Sequence, residues 1–365
     1  MSSKAIFINK DFLSLKLEAY KMKQTFLDNN IDIDVVDYRE YRYLKPPPYY
    51  PRHLREEWYR THQIKTYDKA IFWLPYQRIE LNNFIMFRRK LNLEKEIWYL
   101  VVEGIAKHIE GIARRIKDKY VVTPSNFSKE CIEETGLKVK EVVPHQTDKK
   151  LDIDYAYGKM WRKKLPRNKK IITYIGNSVM RKGLIELYEA VKILSRKRND
   201  FIVVLHTDNM PSMNGYDVTT LKHPNIVLQL EFGKITKAQA LAKVYYSDFY
   251  IHPAKSEGFG LPVLEALQMG KPLICINAFG VNEIANKKNS FMVDGYEVSY
   301  ENYPPKGFQL ITFKVVKYDP KDLAGMIDIA LDSPKEVIWD KIAYGYETVE
   351  KFKNTYDRFI QLLGD

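Results

Sequence analysis

Short runs of consecutive apolar residues recur along this chain. Between them lie longer stretches with apolar residues at every third or fourth position. The runs fit buried strands, and the stretches fit helices with one apolar face. In the first half, residues 5–8, 33–36, 70–74, 97–102 and 120–123 are predicted strands. Residues 15–27 are a predicted helix, with Leu17, Tyr20, Gln24 and Leu27 on its apolar face. Segment 45–51 must be irregular, because Pro46, Pro47, Pro48 and Pro51 deny it helix and sheet hydrogen bonds.

The pattern changes over residues 142–167, a polar and basic stretch. A second alternation then begins. Strands are expected at 171–175, 201–205, 226–229, 249–251 and 272–276, and helices at 183–195, 237–245 and 261–269. Strands alternating with helices argue for parallel sheets with crossover helices. The expected fold is α/β, with two doubly wound Rossmann-like domains at 1–160 and 161–345 facing a cleft. Ligands of such sheets bind at the carboxyl ends of the strands. Val349, Phe352, Tyr356, Ile360 and Leu363 form one stripe, so 346–365 is read as a helix returning to the first domain.

Composition narrows the classes. Of the 365 residues 45% are hydrophobic, enough for two cores. Cys131 and Cys275 lie far apart and outside any C-x-x-C pattern, so a reducing, cytoplasmic setting fits. The apolar start is too short for a signal peptide and reads as a first strand. No run of about 18 apolar residues would span a membrane. Net charge is +12. It favours anionic partners such as nucleotide diphosphates, acidic lipid or nucleic acid, and equally fits plain solubility. With charge as its sole support, a nucleic-acid partner is not expected.

Chemistry concentrates in residues 255–272, KSEGFGLPVLEALQMGKP. A strand ends before it, and Pro262 falls in the first turn of the helix that follows. Backbone N–H groups of Gly258, Phe259, Gly260 and Leu261 are expected at the helix start, where they suit an anion or sugar hydroxyls. Glu257 lies in the turn and Glu265 inside the helix, and both are placed on one cleft. Carboxylates suit paired hydroxyls. The plain alternative makes Glu257 a helix cap and Glu265 a solvated residue. Residues 174–183, YIGNSVMRKG, run from a strand through Gly176 and Asn177 to the cations Arg181 and Lys182. They suit a phosphate, or are only a basic helix start.

The glutamate pair resembles the E-x7-E segment of retaining glycosyltransferases of the GT-B fold, glycosyltransferase family 4. The resemblance covers residues 95–300 clearly. It implies that Glu265 holds the donor ribose, that Glu257 stands near the reacting centre and that Lys182 contacts the donor phosphates. Asn177 stands where the family often has arginine, and Arg181 is the candidate substitute. The linker at 142–148 is similar to the family's entry to the second domain, with Gln146 in place of glycine. Residues 123–127 and 280–283 resemble two further family turns. His252 is read as a packed or hydrogen-bonding residue. The turn at 9–14 lacks the family's glycines. Glu103 stands where many relatives have histidine, as an acceptor-side catalytic group or an ordinary strand-end residue. His108 is its runner-up.

Asp32 with Asp34, and Asp152 with Asp154, form two Asp-x-Asp triplets outside a metal-site context and are read as structural. There is no G-x-G-x-x-G after the first strand and no Walker-type loop. The resemblance implies sugar transfer from a nucleotide diphosphate sugar to an acceptor hydroxyl, with retention. No metal and no further cofactor are expected. The acceptor is a carbohydrate, a lipid-linked molecule or a protein. A sugar-nucleotide epimerase and an inactive carbohydrate- or nucleic-acid-binding protein are the rivals. Residues 83–91 mix apolar and basic side chains. They read first as a core helix with a solvated side, and second as a peripheral membrane contact.

Overall fold

The structure, a computed structural model, describes residues 3–9, 13–43, 67–211, 215–302 and 311–364. The proline-rich segment 45–51 and residues 10–12 of the first turn lie outside them. The chain divides into two compact units. One comprises Met1–Val102, Ala106–Gln146 and Asn354–Asp365, and the other Glu103–Ile105 and Thr147–Lys353.

In chain order the strands are β1 Lys4–Ile8, β2 Asp34–Asp37, β3 Lys69–Pro75, β4 Lys95–Val101, β5 Gly104–Ala106, β6 Tyr120–Thr123 and β7 Glu141–Val142. The first unit holds one six-stranded parallel sheet in the order β2-β1-β3-β4-β6-β7. Alternate residues along its strands serve opposite faces. Ile71, Trp73, Ile97 and Tyr99 join the core that also takes Ala19, Met22, Phe26 and Tyr356. Phe72 and Trp98 point the other way and pack with tilted rings at 4.6 Å, and Phe72 meets Phe84 edge-on at 6.3 Å.

The first helix, Leu13–Asp28, buries a different face from the expected one. Leu17, Tyr20 and Leu27 are exposed, while Leu15, Ala19, Met22 and Phe26 are buried. Both sets repeat at helical spacing, so periodicity alone does not choose between them. The buried face carries Glu18, which pairs with Lys21 at 2.6 Å and accepts a 2.5 Å bond from the Tyr356 hydroxyl. A buried carboxylate must be compensated, and these two partners do so. The helix Arg78–Arg88 buries Leu81, Phe84, Ile85 and Phe87 in the unit's own core. These residues serve the core, as the first reading of this segment expects. Among the described residues no helix is long and apolar enough to cross a membrane.

The second unit continues with β8 Lys170–Ile175, β9 Phe201–His206, β10 Ile226–Gln229, β11 Phe249–His252, β12 Leu273–Ile276, β13 Ser290–Val293, β14 Glu297–Glu301 and β15 Ile311–Lys317. Its parallel sheet has the order β10-β9-β8-β11-β12-β13. The chain runs outward from β8 to β10 and then returns to β11. The strand order therefore reverses between β8 and β11, and ligand crevices of such sheets lie at the carboxyl ends of this point. A smaller sheet, β14-β15-β5, brings in the segment beginning at Glu103.

The passage between units follows Gln146, earlier than the expected 160/161 boundary. Helix Tyr155–Lys163 explains the shift, since Trp161 is buried against Ile171, Ile202 and Val204 of the second unit. Gln146, where a glycine was expected, is buried in the first unit. Its side chain donates to Thr25 at 3.0 Å and accepts from the Tyr356 backbone at 3.0 Å. The expected terminal helix is two helices, Lys335–Glu350 and Asp357–Leu363. Val349 and Phe352 lie in a second-unit core, and Tyr356, Phe359 and Leu363 in the first-unit core. The chain turns between them because the stripe serves two cores.

Tyr356→Phe should lower the first unit's unfolding free energy by about 1–3 kcal/mol, since it removes a charge-assisted bond from a buried carboxylate. Urea titration followed by circular dichroism reads this. An unchanged midpoint would mean that Lys21 alone satisfies Glu18.

Candidate active site

The two loops flanking the switch point carry the candidate residues. After β8, the Gly176 amide donates to His206 at 3.2 Å. The Tyr174 hydroxyl donates to the Asn177 carbonyl at 2.8 Å, and Ser178 donates from its amide and hydroxyl to Asp208 at 2.9 and 2.7 Å. A 3-10 turn, Met180–Lys182, follows and ends at Gly183 with φ 72°. That left-handed conformation suits glycine, and an added Cβ would also lie 2.6 Å from the Tyr318 hydroxyl. The turn thereby points Arg181 and Lys182 into the protein, and both are buried.

After β11 the loop runs back along this turn. The Lys255 amide donates to the Arg181 carbonyl at 2.7 Å, and Arg181 Nη1 donates to the Ser256 carbonyl at 2.9 Å. Glu257 is thus delivered to the cations. Its Oε1 forms an ion pair with Lys182 and meets His252 Nε2 at 3.0 Å, while its Oε2 lies 3.5 Å from Arg181. Gly280 closes the far side, donating to the Glu257 carbonyl at 3.2 Å. A Cβ there would lie 2.6 Å from that oxygen, so no larger residue fits without moving the Glu257 loop. The helix Leu261–Gln268 starts from Gly260, at φ 101°, with Pro262 in its first turn. Phe259 is buried edge-on against Phe352 at 5.7 Å.

Burial by itself pushes the Glu257 carboxyl up. Lys182 and Arg181, and the His252 bond, reverse this and hold it well below the usual carboxylate range. Lys182 is lowered by burial and by its neighbour Arg181, with Glu257 opposing. Burial opposes the charge on Arg181, but Glu103 and Glu257 raise it overall. His252 is lowered by burial, against the pull of Glu257.

Glu103 sits in this same cluster, ion-paired with Arg181. Its backbone carbonyl accepts from the Ser256 hydroxyl at 3.1 Å. Burial raises its carboxyl, and Arg181 opposes the shift. Gly104 makes the approach possible, since a side chain there would run into the Thr312 carbonyl of β15. His108 belongs to the other unit, is exposed and has φ 54°.

Glu265 is held apart from this cluster. Its carboxylate pairs with Lys237 at 2.8 Å, and Lys237 also reaches Asp148 at 3.2 Å. Lys237 opens the helix Lys237–Tyr245 behind a capping box of Thr236 and Gln239. Sequence reasoning did not single out Lys237, although the box is visible as T-x-x-Q, and it gave Asp148 no role beyond the linker motif. One residue of each Asp-x-Asp triplet has a local role. Asp154 caps the helix Tyr155–Lys163, and Asp34 accepts from the Tyr67 hydroxyl at 2.8 Å. Ser125, in the turn after β6, caps its own helix by accepting from Ser128 at 3.0 Å.

Comparison with known proteins places this geometry. Residues 159–301 match the family model described as "Glycosyl transferases group 1". A Bacillus subtilis protein whose name, TuaC, assigns it to teichuronic acid biosynthesis as a glycosyltransferase is 23% identical over 196 residues, 51% of this chain. That match spans 44% of TuaC, so the chain aligns with less than half of that relative's length. The uncharacterized glycosyltransferase 335 of Sulfolobus islandicus rod-shaped virus 1 is 23% identical over 80% of this chain and 87% of its own. Among solved structures, Anabaena HepE in complex with UDP and glucose is similar with a TM-score of 0.69 at 13% identity, over 100% of this chain and 99% of that one. Residues 159–301 therefore match a glycosyltransferase domain, and the fold of the chain is GT-B. That is the class the comparisons establish.

Lys182→Met should cost stability, because it leaves a buried carboxylate short of its ion-pair partner. Full loss of such a partner costs about 3–5 kcal/mol, and Arg181 nearby should hold the loss at the lower end. Adding Glu257→Gln should recover much of it, as read by thermal unfolding. Glu257 is depressed below its unfolded value, so its pairing stabilises above about pH 4.3 and is lost as pH falls further. Unfolding free energy should therefore fall less steeply with acid in Glu257→Gln than in the parent.

Proposed function

We propose that this chain transfers a sugar from a nucleotide diphosphate sugar to an acceptor hydroxyl with retention of configuration, and that it needs no metal for the transfer. The observation that carries this reading is the convergence of Lys182, Arg181 and His252 on Glu257, at the strand-order switch inside the matched domain. Ligand-binding crevices of doubly wound sheets lie at this point.

In this reading the donor diphosphate takes over the cations that Glu257 engages. Lys182 and Arg181 then face the charge that builds on the leaving diphosphate. Both side chains are buried, where such interactions are strong. Glu257 stays ionised beside the transferred sugar and accepts from its hydroxyls. The helix start from Gly258 to Leu261 lies against the same ligand, and Gly176 and Asn177 line the loop on the phosphate side. Glu265 takes the ribose hydroxyls, for which it must exchange Lys237. Glu103 anchors the Arg181 guanidinium, because its ion pair commits it there rather than to an acceptor proton. Similarity to HepE, a structure that holds UDP and glucose, supports a nucleotide-sugar donor. A cytoplasmic setting and an acceptor that is a carbohydrate, a lipid-linked molecule or a protein remain part of the proposal.

Lys182→Ala and Glu265→Ala should each weaken binding of the matching nucleoside diphosphate by about 1–3 kcal/mol. A thermal-shift screen identifies that nucleotide, and calorimetric titration measures the variants. Unchanged affinity in both would remove the donor-site assignment. Transfer activity should survive exhaustive chelation. Activity abolished by EDTA and restored by Mn²⁺ or Mg²⁺ would overturn the metal-free mechanism, and turnover of the nucleotide sugar with no acceptor present would point to an epimerase.

A further inference from the structure

A second charged site lies wholly within the first unit. A cleft of about 250 Å³ is lined by Arg88, Arg89, Arg115 and Lys119, with Ile85, Trp98 and Ile116 as its apolar wall. Drug-sized pockets run to about 300–1,000 Å³, so this cleft suits an ionic group rather than a whole nucleotide sugar.

Its position separates it from the transfer chemistry. Arg88 ends and Arg89 follows the helix that leads into the amino end of β4, and Arg115 and Lys119 precede the amino end of β6. These strands are neighbours in the sheet. The cleft thus opens at the amino edge, whereas the chemistry of such sheets gathers at the carboxyl edge.

The charge here is only partly compensated. Glu96 pairs with Arg88 at 2.8 Å and with Lys119. Arg89 and Arg115 are exposed, and among the described residues neither forms an ion pair. Their guanidinium contacts are weak, with Arg89 Nη1 3.9 Å from Met86 Sδ and Arg115 Nη1 3.4 Å from Asn82 Oδ1. Four lining cations against the single Glu96 leave a local charge of +3. A second observation is independent of charge. Trp98 is fully buried, and its indole Nε1 has no hydrogen-bond partner. A buried indole N–H ordinarily has one.

We propose that this cleft is an anion site that takes a phosphate group, carried by a free phosphorylated ligand or by a lipid headgroup. Arg89 and Arg115 supply planar forks matched to phosphate oxygens, and Arg88 and Lys119, oriented by Glu96, add positive potential. Ile85 and Ile116 give the stem of the phosphorylated molecule an apolar wall. The site does not rest on the donor-site reading of the second unit.

The test uses the full chain and inorganic pyrophosphate as probe, titrated by calorimetry at low salt. Parent protein and Lys182→Ala should both bind it. Arg89→Gln combined with Arg115→Gln should lose at least about tenfold in affinity at this site, and Arg89→Lys with Arg115→Lys, which keeps the charge but not the forks, should fall between that pair and the parent. Both positions are exposed, so the thermal midpoint should not move. Cosedimentation with phosphatidylcholine vesicles, with and without phosphatidic acid, assigns the source. Arginine-dependent binding only to the phosphatidic acid vesicles points to a headgroup, and pyrophosphate binding without vesicle binding points to a free ligand. If the parent binds neither probe, or the Gln pair binds both as the parent does, the site is refuted. Loss of pyrophosphate binding in Lys182→Ala alone would also refute it, while leaving the donor-site reading intact.

Discussion

Glu257 cannot be buried as an anion by itself. Moving an unpaired carboxylate out of water costs more than most single contacts return, so it must bring its counter-charges along. Lys182 and Arg181 meet that demand, and they lie on a different loop. One electrostatic constraint therefore ties the turn after β8 to the turn after β11, and much of the local structure follows from it. Gly183 adopts a left-handed conformation so that the cations face inward. Gly280 lets the chain pass close to the Glu257 carbonyl. Gly104 allows the strand that begins beyond Glu103 to lie against β15, which adds a second carboxylate beside Arg181.

Arg181, Lys182, Glu257 and His252 are already buried before any ligand arrives. A diphosphate that entered would exchange one set of anions for another around fixed cations, with little rearrangement of solvent. Preorganisation of this kind is what makes charge stabilisation effective during a transfer reaction. The pairing of Lys237 with Glu265 follows the same logic at the next position along the helix face. In both places a lysine occupies the partner position of a carboxylate to which the proposed function gives a ligand.

Much of this was legible in the sequence, for identifiable reasons. The β8 and β11 loops announce themselves because glycine, proline, glutamate and lysine recur at offsets that a strand–turn–helix requires. Strand runs were readable because parallel strands buried on both faces are continuously apolar. The first helix was misread because Leu17, Tyr20 and Leu27 are as periodic as Ala19, Met22 and Phe26, and the choice depends on what packs opposite. The final stripe was read as one helix because a helical period does not reveal that its ends belong to different cores. Glu103 was assigned from its place in the chain, and its ion pair with Arg181 is a tertiary fact that no local pattern carries.

The net charge of +12 invites the idea that the excess serves the donor phosphates, but the charge balance places it elsewhere. Around Glu257 two cations face two carboxylates, so the resting site is formally neutral apart from His252, whose protonation burial disfavours. A neutral, internally paired cluster does not steer an anion from a distance; it acts on one that has arrived. Long-range attraction must come from charge without nearby compensation. Arg89 and Arg115 hold such charge, on the amino edge of the first unit's sheet. Surplus charge and the paired charge around Glu257 are therefore separate features of this molecule, and composition alone could not have told them apart.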